Sequence, residues 1–244
     1  MPARRGILVV FAKQPRAGRV KTRMCPPLSP EQAAELYTAL LQDVLETSLA
    51  AAHSHDLDAV LAVDPPNAAQ DRARMCPPGF RIVAQRGADL SERMAWSVAE
   101  AAAAGADRIL LRGSDSPTLD EARIGRALAS LDDHDLVICP DRDGGYNLIG
   151  LRGVSPGLFD HPMSTARVLD DTLANAERAG LRTHVLPASF DLDSVEDLRW
   201  LAEAVAAGAA SGCPRTLEFA DTHDLWRLAG TETGVVLAES SRTR

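Results

Sequence analysis

The sequence predicts an α/β protein, a three-layer sandwich in which helices cover both faces of a mostly parallel sheet within one domain. Its 244 residues, 45% of them hydrophobic, are enough for one large core. Short apolar runs are continuous in Ile, Val and Leu rather than alternating, which is typical of strands buried on both faces. Longer segments with helical spacing separate these runs, and this alternation implies right-handed crossovers between parallel strands.

The elements follow in order along the chain. The predicted strands are residues 7–12, 57–63, 80–84, 108–112, 136–140, 146–151 and 183–187. The predicted helices are residues 31–52, 92–104, 120–131, 165–179 and 195–207. Ser29 and Pro30 suit the cap and first position of the first helix, and Gly105 and Gly180 are placed to end two later ones.

The predicted domain covers residues 1–207, and residues 208–244 form a C-terminal extension. The extension begins with a stretch rich in Gly, Ala and Ser and has one more helical pattern at 217–228. Residues 232–244 have no such pattern, so we expect the extension to be partly disordered.

Positive charge is concentrated at the N-terminus. The first 30 residues contain seven Lys or Arg and no acid, whereas the other 19 Lys and Arg face all 34 acids, a net charge of −15. Five of the seven lie in the loop after the first strand, at Lys13, Arg16, Arg19, Lys21 and Arg23. Such a loop concentrates potential on one anionic ligand. The alternative is a solvated loop of a slightly basic N-terminus.

The overall charge narrows the range of partners. A net charge of −8 and a pI of about 5.3 disfavour nucleic acids and membrane surfaces, which are themselves polyanionic. No apolar stretch approaches the roughly 20 residues that span a bilayer. The four cysteines form no C-x-x-C pair, which is typical of free thiols in a reducing compartment. We expect a cytoplasmic protein with a small phosphorylated ligand and no membrane span.

Two acidic loops are predicted to open toward the basic one, because ligands of an open parallel sheet sit beyond the carboxyl ends of its strands. Asp115 lies in the loop 113–117, and Asp143 in the loop 141–145. Two carboxylates about 4 Å apart repel by roughly 4 kcal/mol at an effective dielectric of 20, unless a cation lies between them. Mg²⁺ or Mn²⁺ prefers one or two carboxylates with phosphate oxygens, which matches Asp115 joined by Asp143 or Asp193 around a diphosphate.

Each acid also has a purely structural alternative. Asp115 suits a helix cap or turn before Pro117, and Asp143 suits a tight turn with Gly144 and Gly145. A turn needs only one glycine here, and two positions without side chains would let a sugar or base approach the backbone.

Two more segments are predicted to lie at the same ligand-binding edge of the sheet. Gln85, Asp89 and Arg93 follow the third strand and are placed to line the pocket; the alternative is that Ser91 caps the next helix and Arg93 is solvated. Before the last main helix, a capping box of Ser194 with Asp197 leaves Asp191 and Asp193 free.

Together these motifs resemble the DUF2064 family over about residues 6–205. The motifs that carry the resemblance are Phe11-Ala12-Lys13-x-Pro15-x-x-Gly18-x-Val20-Lys21-Thr22-Arg23, Gly113-x-Asp115-x-Pro117, Asp143-Gly144-Gly145-Tyr146-x-Leu148-Ile149-Gly150-Leu151 and Asp191-x-Asp193. Met163 and Met24-Cys25 depart from the family, which usually has Trp and Leu-Ala there. The resemblance implies a Rossmann-like GT-A fold in which the first loop holds the nucleotide and Asp115 takes the place of the metal-binding acid.

The leading functional hypothesis is a metal-dependent glycosyltransferase that moves a sugar from a nucleotide-diphospho-sugar to a small acceptor. The expected nucleotide contacts are Ala12, Lys13, Gly18, Lys21, Arg23, Gln85, Gly113, Gly144 and Gly145. Asp115 would hold Mg²⁺ or Mn²⁺, and Asp143 or Asp193 would orient the acceptor or act as base. The first alternative is a nucleotidyltransferase, since the basic loop and Gly-x-Asp-x-Pro also resemble guanylyltransferases of cofactor biosynthesis. The second is a non-catalytic nucleotide-binding protein.

Overall fold

The predicted sheet is present in the computed structural model, which describes residues 6–65 and 76–229. Within these residues the strands are β1 (Gly6–Lys13), β2 (Leu57–Asp64), β3 (Phe80–Ala84), β4 (Arg108–Arg112), β5 (Leu136–Pro140), β6 (Tyr146–Leu151) and β7 (Thr183–Val185). The helices are α1 (Pro30–Ser54), α2 (Leu90–Ala103), α3 (Glu121–Ser130), α4 (Val168–Arg178), α5 (Leu198–Ala206) and α6 (Pro214–Thr222).

The sheet has the order β3-β2-β1-β4-β6-β5-β7. Every neighbouring pair is parallel except those of β6, which runs antiparallel to both β4 and β5. The prediction of a mostly parallel sheet is therefore confirmed. Because β6 is reversed, β5 and β6 form a hairpin, and its turn lies at the edge where the parallel strands end.

Helices cover both faces of the sheet, which explains why its strands are apolar without alternation. Leu110 and Leu111 are adjacent in β4 and both buried, Leu110 against α3 and Leu111 on the face covered by α2 and α4. The central part of α1 covers the β1–β2 half of the first of these faces. Strands of this kind cannot show the polar face of a half-exposed sheet.

Local capping signals set several helix starts. The Ser29 hydroxyl accepts a hydrogen bond from the Gln32 amide, and the Ser29 amide donates one to Gln32 Oε1. Pro30 is the first residue of α1, as predicted. Ser194 and Asp197 form the predicted capping box ahead of α5. The predicted helix 165–179 begins only at Val168, since the residues before it form turns.

The segment after α5 packs back onto α1. Phe219 and Leu225 join a buried cluster with α1 and α5. The start of α6 is fixed by the buried Asp43 carboxylate, which accepts hydrogen bonds from the Thr216 amide and hydroxyl, both at 2.8 Å. The predicted disordered segment 232–244 lies outside the described residues. No helix in the described part of the chain is long and apolar enough to cross a membrane.

Candidate functional site

Four segments meet at the edge where the parallel strands end: the basic loop 13–23, the loop 113–117, the turn 141–145 and the segment 186–193. The last continues from β7 and crosses the end of β5, where the Ser189 amide bonds the Pro140 carbonyl at 2.9 Å. It then reaches the loop 113–117, where the Leu192 amide bonds the Asp115 carbonyl at 2.9 Å. This crossing brings Asp193 next to Asp115.

The basic loop is pinned at two buried residues, Val20 and Met24. Lys21 lies between them in a left-handed conformation, with φ of 47° and ψ of 36°, and its side chain points into the protein. Gly18 also has a positive φ, 71°, with open space where a Cβ would stand, so this position needs glycine for its backbone conformation. The loop thus turns one cation inward.

The Lys21 ammonium bridges the two carboxylates that the sequence singled out. Its Nζ donates hydrogen bonds to Asp115 Oδ1 and, at 2.7 Å, to Asp193 Oδ1. The Lys21 side chain is 3% exposed, whereas those of Asp115 and Asp193 are 34% and 38% exposed. The lysine is buried beneath two acids that remain open to solvent on one side.

The electrostatics of this triad favour its charged form. Burial alone would lower the pKa of Lys21, but the charges and hydrogen bonds of Asp115 and Asp193 outweigh burial and raise it above its ordinary value. Burial likewise opposes ionisation of Asp193, yet Lys21, with Arg23 and Lys13 farther off, holds its pKa below the ordinary value. At neutral pH Lys21 therefore carries a positive charge and Asp193 a negative one.

The other four cations of the loop are exposed, at Lys13, Arg16, Arg19 and Arg23. They follow or flank the end of β1, where Ala12 is buried in the sheet. The structure thus separates one lysine that organises the acids from four cations that face solvent at the same edge.

A tyrosine that the sequence analysis missed joins the basic loop to the loop 113–117. The Tyr37 hydroxyl lies 2.8 Å from Ser114 Oγ and accepts a 2.8 Å hydrogen bond from the Lys13 amide. Burial raises the pKa of Tyr37 to about 12, so the hydroxyl stays protonated. Its position on the apolar stripe of α1 was the available signal, because a buried tyrosine usually finds a hydrogen-bond partner.

Arg112 at the end of β4 also supports the loop 113–117 and was likewise missed. Its buried guanidinium donates to the carbonyl oxygens of Ser116 at 3.2 Å and Leu119 at 3.3 Å, and to Ser48 Oγ at 3.1 Å. Burial lowers the pKa of Arg112 to about 10, so it remains charged at neutral pH. The arginine therefore fixes the backbone that presents Asp115.

The neighbouring acids Asp141 and Asp191 are less easily ionised. Burial, followed by the nearby Asp141, Asp115 and Asp193 charges, raises the pKa of Asp191 well above its ordinary value. Burial and the hydrogen bond and charge of Asp143 raise the pKa of Asp141 to about 7. The Ser116 hydroxyl donates a hydrogen bond to the Asp191 carboxylate, and the Asp191 amide donates one to Asp141 at 2.9 Å. The prediction that Asp191 is free is therefore wrong.

Asp143 forms the tight turn that was its structural alternative. Its Oδ1 accepts a 2.8 Å hydrogen bond from the Gly145 amide. At Gly144, φ is 94° and an added Cβ would lie 2.2 Å from the Ala166 carbonyl oxygen, so the segment before α4 requires glycine there. Asp143 lines the same cleft as Asp193.

Gln85 closes the ends of β1 and β2. Its amide nitrogen donates to the carbonyl oxygens of Ala12 at 3.2 Å and Ala62 at 3.1 Å. The Gly113 amide bonds the Asn147 carbonyl at 3.1 Å. Both predicted nucleotide contacts therefore have backbone partners at the ligand edge.

The cap of α2 was mispredicted. Asp89, not Ser91, caps the helix by accepting from the Glu92 amide at 2.9 Å, and the Ser91 hydroxyl donates to the His161 carbonyl. Arg93 is not simply solvated, because it pairs with Asp64 at 3.2 Å. Asp89 precedes the helix by the correct spacing, and its carboxylate competes well with a serine for this position.

The donor set at Asp115 fits a hard divalent cation completed by ligand oxygens. Among the described residues, no group of three or more His, Cys, Asp or Glu is arranged to hold a metal. Asp115 and Asp193 each use one oxygen on Lys21 and are about one third exposed. Mg²⁺ commonly takes one or two carboxylates and fills the remaining positions with phosphate oxygens and water.

A polar cleft of about 140 Å³ extends from Asp193 between the turn 141–145 and the start of α5. On its wall the Arg142 guanidinium lies 3.7 Å from the Trp200 ring centroid, and that of Arg199 lies 4.3 Å from it. Arg23 lines the same cleft. A larger groove of about 230 Å³, between α2 and residues 154–160, contains none of the predicted site residues.

Comparison with known proteins gives a family match and includes a solved structure of high similarity. The sequence profile described as "Uncharacterized protein conserved in bacteria (DUF2064)" matches residues 45–165. A crystal structure from Desulfovibrio desulfuricans G20, provisionally named a nucleotide-diphospho-sugar transferase, is 31% identical, covers 92% of this chain and 97% of its own, and has a TM-score of 0.81.

A more distant relative is a nucleotidyltransferase, and a solved structure of low identity shares the fold. The 2-phospho-L-lactate guanylyltransferase of Methanothermobacter thermautotrophicus is 27% identical over 194 residues, which are 75% of this chain and 78% of the relative. A cytidylyltransferase from Leptospira borgpetersenii is 12% identical, with a TM-score of 0.55 over 94% of this chain and 98% of its own. At that identity the last comparison shows the fold alone, which confirms the predicted α/β class.

Proposed function

The chain belongs to the DUF2064 family, and on that premise we propose that it is a nucleotidyltransferase, which joins the nucleotidyl group of a nucleoside triphosphate to a small acceptor and releases pyrophosphate. The observation that carries the proposal is the difference in burial between Lys21 and the other cations of the basic loop. Lys21 is buried between Asp115 and Asp193, and four other cations at the same edge remain exposed.

The charges of the loop match a triphosphate. Lys13, Arg16, Arg19 and Arg23 supply four exposed positive charges, and a nucleoside triphosphate carries about four negative ones near neutral pH. Charge-assisted hydrogen bonds from such side chains contribute about 1.5 to 3 kcal/mol each. The positive φ of Gly18 turns the loop backbone between these cations. The loop would bind the leaving pyrophosphate and stabilise the negative charge that develops on it.

Lys21 would keep Asp115 and Asp193 in place before substrate arrives. Its ammonium holds one oxygen of each carboxylate, and Tyr37 and Arg112 fix the loop that carries Asp115. Rigid support of this kind stabilises a transition state without reorganisation during the reaction.

Asp115, together with Asp193, would hold a Mg²⁺ or Mn²⁺ ion when a nucleotide is bound. Such an ion supplies Lewis-acid polarisation of the phosphoryl oxygens. The chain's own contribution is the pair of carboxylates, each about one third exposed and free of Lys21 on its outer side.

Glycosyl transfer, the leading hypothesis from the sequence, remains the second candidate. The observation in its favour is the 31% identical relative, whose provisional name is nucleotide-diphospho-sugar transferase. The guanylyltransferase relative and the four exposed cations favour nucleotidyl transfer instead. In glycosyl transfer the leaving group would be a nucleoside diphosphate, with one phosphate fewer than the substrate we propose.

The test is thermal unfolding of the full chain against nucleoside triphosphates, diphosphates and nucleotide-sugars, with Mg²⁺, Mn²⁺ or chelator. A ligand at 100 times its dissociation constant adds about 2.7 kcal/mol of stability. We expect one triphosphate to stabilise most, in a metal-dependent way, and pyrophosphate to be released when an anionic acceptor is added. Stabilisation by nucleotide-sugars without pyrophosphate release would replace the proposal by glycosyl transfer. Asp115→Asn should remove the metal dependence.

A further inference from the structure

We propose that the cleft wall formed by Arg142, Trp200 and Arg199 is the acceptor subsite, and that it takes a small acceptor bearing a phosphate or carboxylate group. This inference rests on the nucleotidyl transfer proposed above and specifies the class of its second substrate. It is carried by the stacking of two arginines on one indole, by the absence of a salt bridge to either arginine among the described residues, and by the position of the cleft.

Arg142 and Arg199 both stack on the indole ring of Trp200. Trp200 is half-buried in α5 and packs against the apolar cluster between α1, α5 and α6, which fixes its ring. Arg142 and Arg199 place their guanidinium carbons 3.7 Å and 4.3 Å from the ring centroid. Guanidinium groups held against an aromatic ring keep their N–H donors available, in a planar arrangement that suits the two oxygens of a carboxylate or phosphate.

Neither arginine is locked in an ion pair, although the charge of Arg199 contributes to lowering the pKa of the exposed Glu196. Across residues 6–65 and 76–229, no salt bridge involves Arg142 or Arg199, although Asp143 and Asp197 line the same cleft. Asp197 accepts hydrogen bonds from the Ser194 amide and hydroxyl, and Asp143 accepts one from the Gly145 amide. Asp143 and Asp197 are therefore engaged in shaping the walls, and the guanidinium N–H donors of the two arginines are left for a ligand.

The cleft adjoins the triad that we assign to the nucleotide. Asp193 lines the cleft and bonds Lys21, and Arg23 lines it from the basic loop. An anion seated between Arg142 and Arg199 would therefore lie next to the phosphates of a nucleotide bound at the loop. The cleft has a volume of about 140 Å³, which favours a compact acceptor over a polymer.

The chemistry of such an acceptor is simple. One of its anionic oxygens attacks the α-phosphorus of the triphosphate, a P–O bond forms there, and the bond from the α-phosphorus to the bridging oxygen breaks. The electron pair of that bond leaves with pyrophosphate. Because the attacking oxygen is already deprotonated, the step requires no general base, and neither Asp143 nor Asp193 has to take a proton.

The experiment is calorimetric titration of simple anions into the full chain, first saturated with a non-hydrolysable analogue of the triphosphate that stabilises it most. Methyl phosphate and glycolate are the probes, and they separate recognition of phosphate from recognition of carboxylate. The variants are Arg142→Gln and Arg199→Gln, with Arg142→Lys to keep the charge without the planar fork. Arg126→Gln, at an exposed position of α3, is the matched control.

We expect one probe to bind, and its dissociation constant to rise about 10-fold or more in each glutamine variant, since each removes charge-assisted hydrogen bonds. Arg142→Lys should lose part of this affinity, and Arg126→Gln none. Nucleotide affinity should stay unchanged in all four.

The outcomes separate the two proposals. If no nucleotide binds wild-type protein, nucleotidyl transfer itself fails. If a nucleotide binds but neither probe does, or if both glutamine variants bind the probe as wild type does, only the acceptor assignment is overturned. If the glutamine variants weaken nucleotide binding instead, the cleft belongs to the nucleotide site, which also overturns the assignment.

Discussion

Replacement of Lys21 by methionine tests whether this lysine organises the two acids. The substitution keeps the length of the side chain and removes its charge, so that Asp115 and Asp193 face each other without a cation. Since both Oδ1 atoms bond one nitrogen, they lie within about 5 Å of each other, where two negative charges repel by about 3 kcal/mol at an effective dielectric of 20.

Solvent reduces this figure, because both carboxylates are about one third exposed. We therefore expect Lys21→Met to lower the free energy of unfolding by about 2 kcal/mol at pH 8. The loss should shrink below about 1 kcal/mol at pH 5. Without lysine the repulsion raises the pKa of one carboxyl, and its protonation at low pH relieves the repulsion.

Urea denaturation at both pH values, in buffer with chelator, measures the effect. Lys13→Met is the matched control, because Lys13 is the only other lysine of the chain and is exposed; its change should stay within about 0.5 kcal/mol. An equal loss at pH 5 and pH 8 would mean that Lys21 stabilises the loop by packing and not through the two carboxylates.

Three further predictions concern the support of the site. Asp43→Ala should lower the free energy of unfolding by about 3 kcal/mol in urea, since it leaves the buried start of α6 without its acceptor, whereas Glu46→Ala at the exposed end of the same network should cost less than about 1 kcal/mol. The pKa of Asp141 is raised to about 7, so its folded-state proton is lost, and stability falls, as pH rises from about 4 through 7; Asp141→Asn should raise stability at pH 8 by about 2 kcal/mol, half of the full shift, and change it little at pH 4. Tyr37→Phe removes the hydroxyl that joins Lys13 to Ser114, and nucleotide affinity in the thermal assay should fall about 5- to 10-fold, with a double-mutant cycle against Ser114→Ala showing coupling.

The strands were predictable because burial on both faces leaves a continuous apolar run, which marks a strand without reference to its neighbours. The direction of β6 was less accessible, since an apolar run has the same composition whether its partners are parallel or antiparallel. Only the turn residues Asp143 to Gly145 pointed to a hairpin. Its insertion between β4 and β5 depends on the whole sheet.

The residues of the site were predictable from the sequence, but the contacts between them were not. The sequence identified Lys21, Asp115 and Asp193, yet it did not distinguish Lys21 from four neighbouring cations, because the distinction depends on Val20 and Met24 being buried on either side of it. The stack on Trp200 joins residues 58 positions apart in the chain and left no local pattern. The cap of α2 was mispredicted because two good capping residues lie two positions apart.

The reversed strand β6 also indicates where new sequence can be inserted away from the candidate site. Because β6 runs away from the ligand edge, the chain emerges after Leu151 at the opposite end of the sheet. Gly153 follows there, with open space around its Cβ position. A purification tag or fluorescent domain inserted at Gly153 would lie a full strand length from Lys21, so this end of the sheet can accept new sequence while the acid pair and its lysine keep their arrangement.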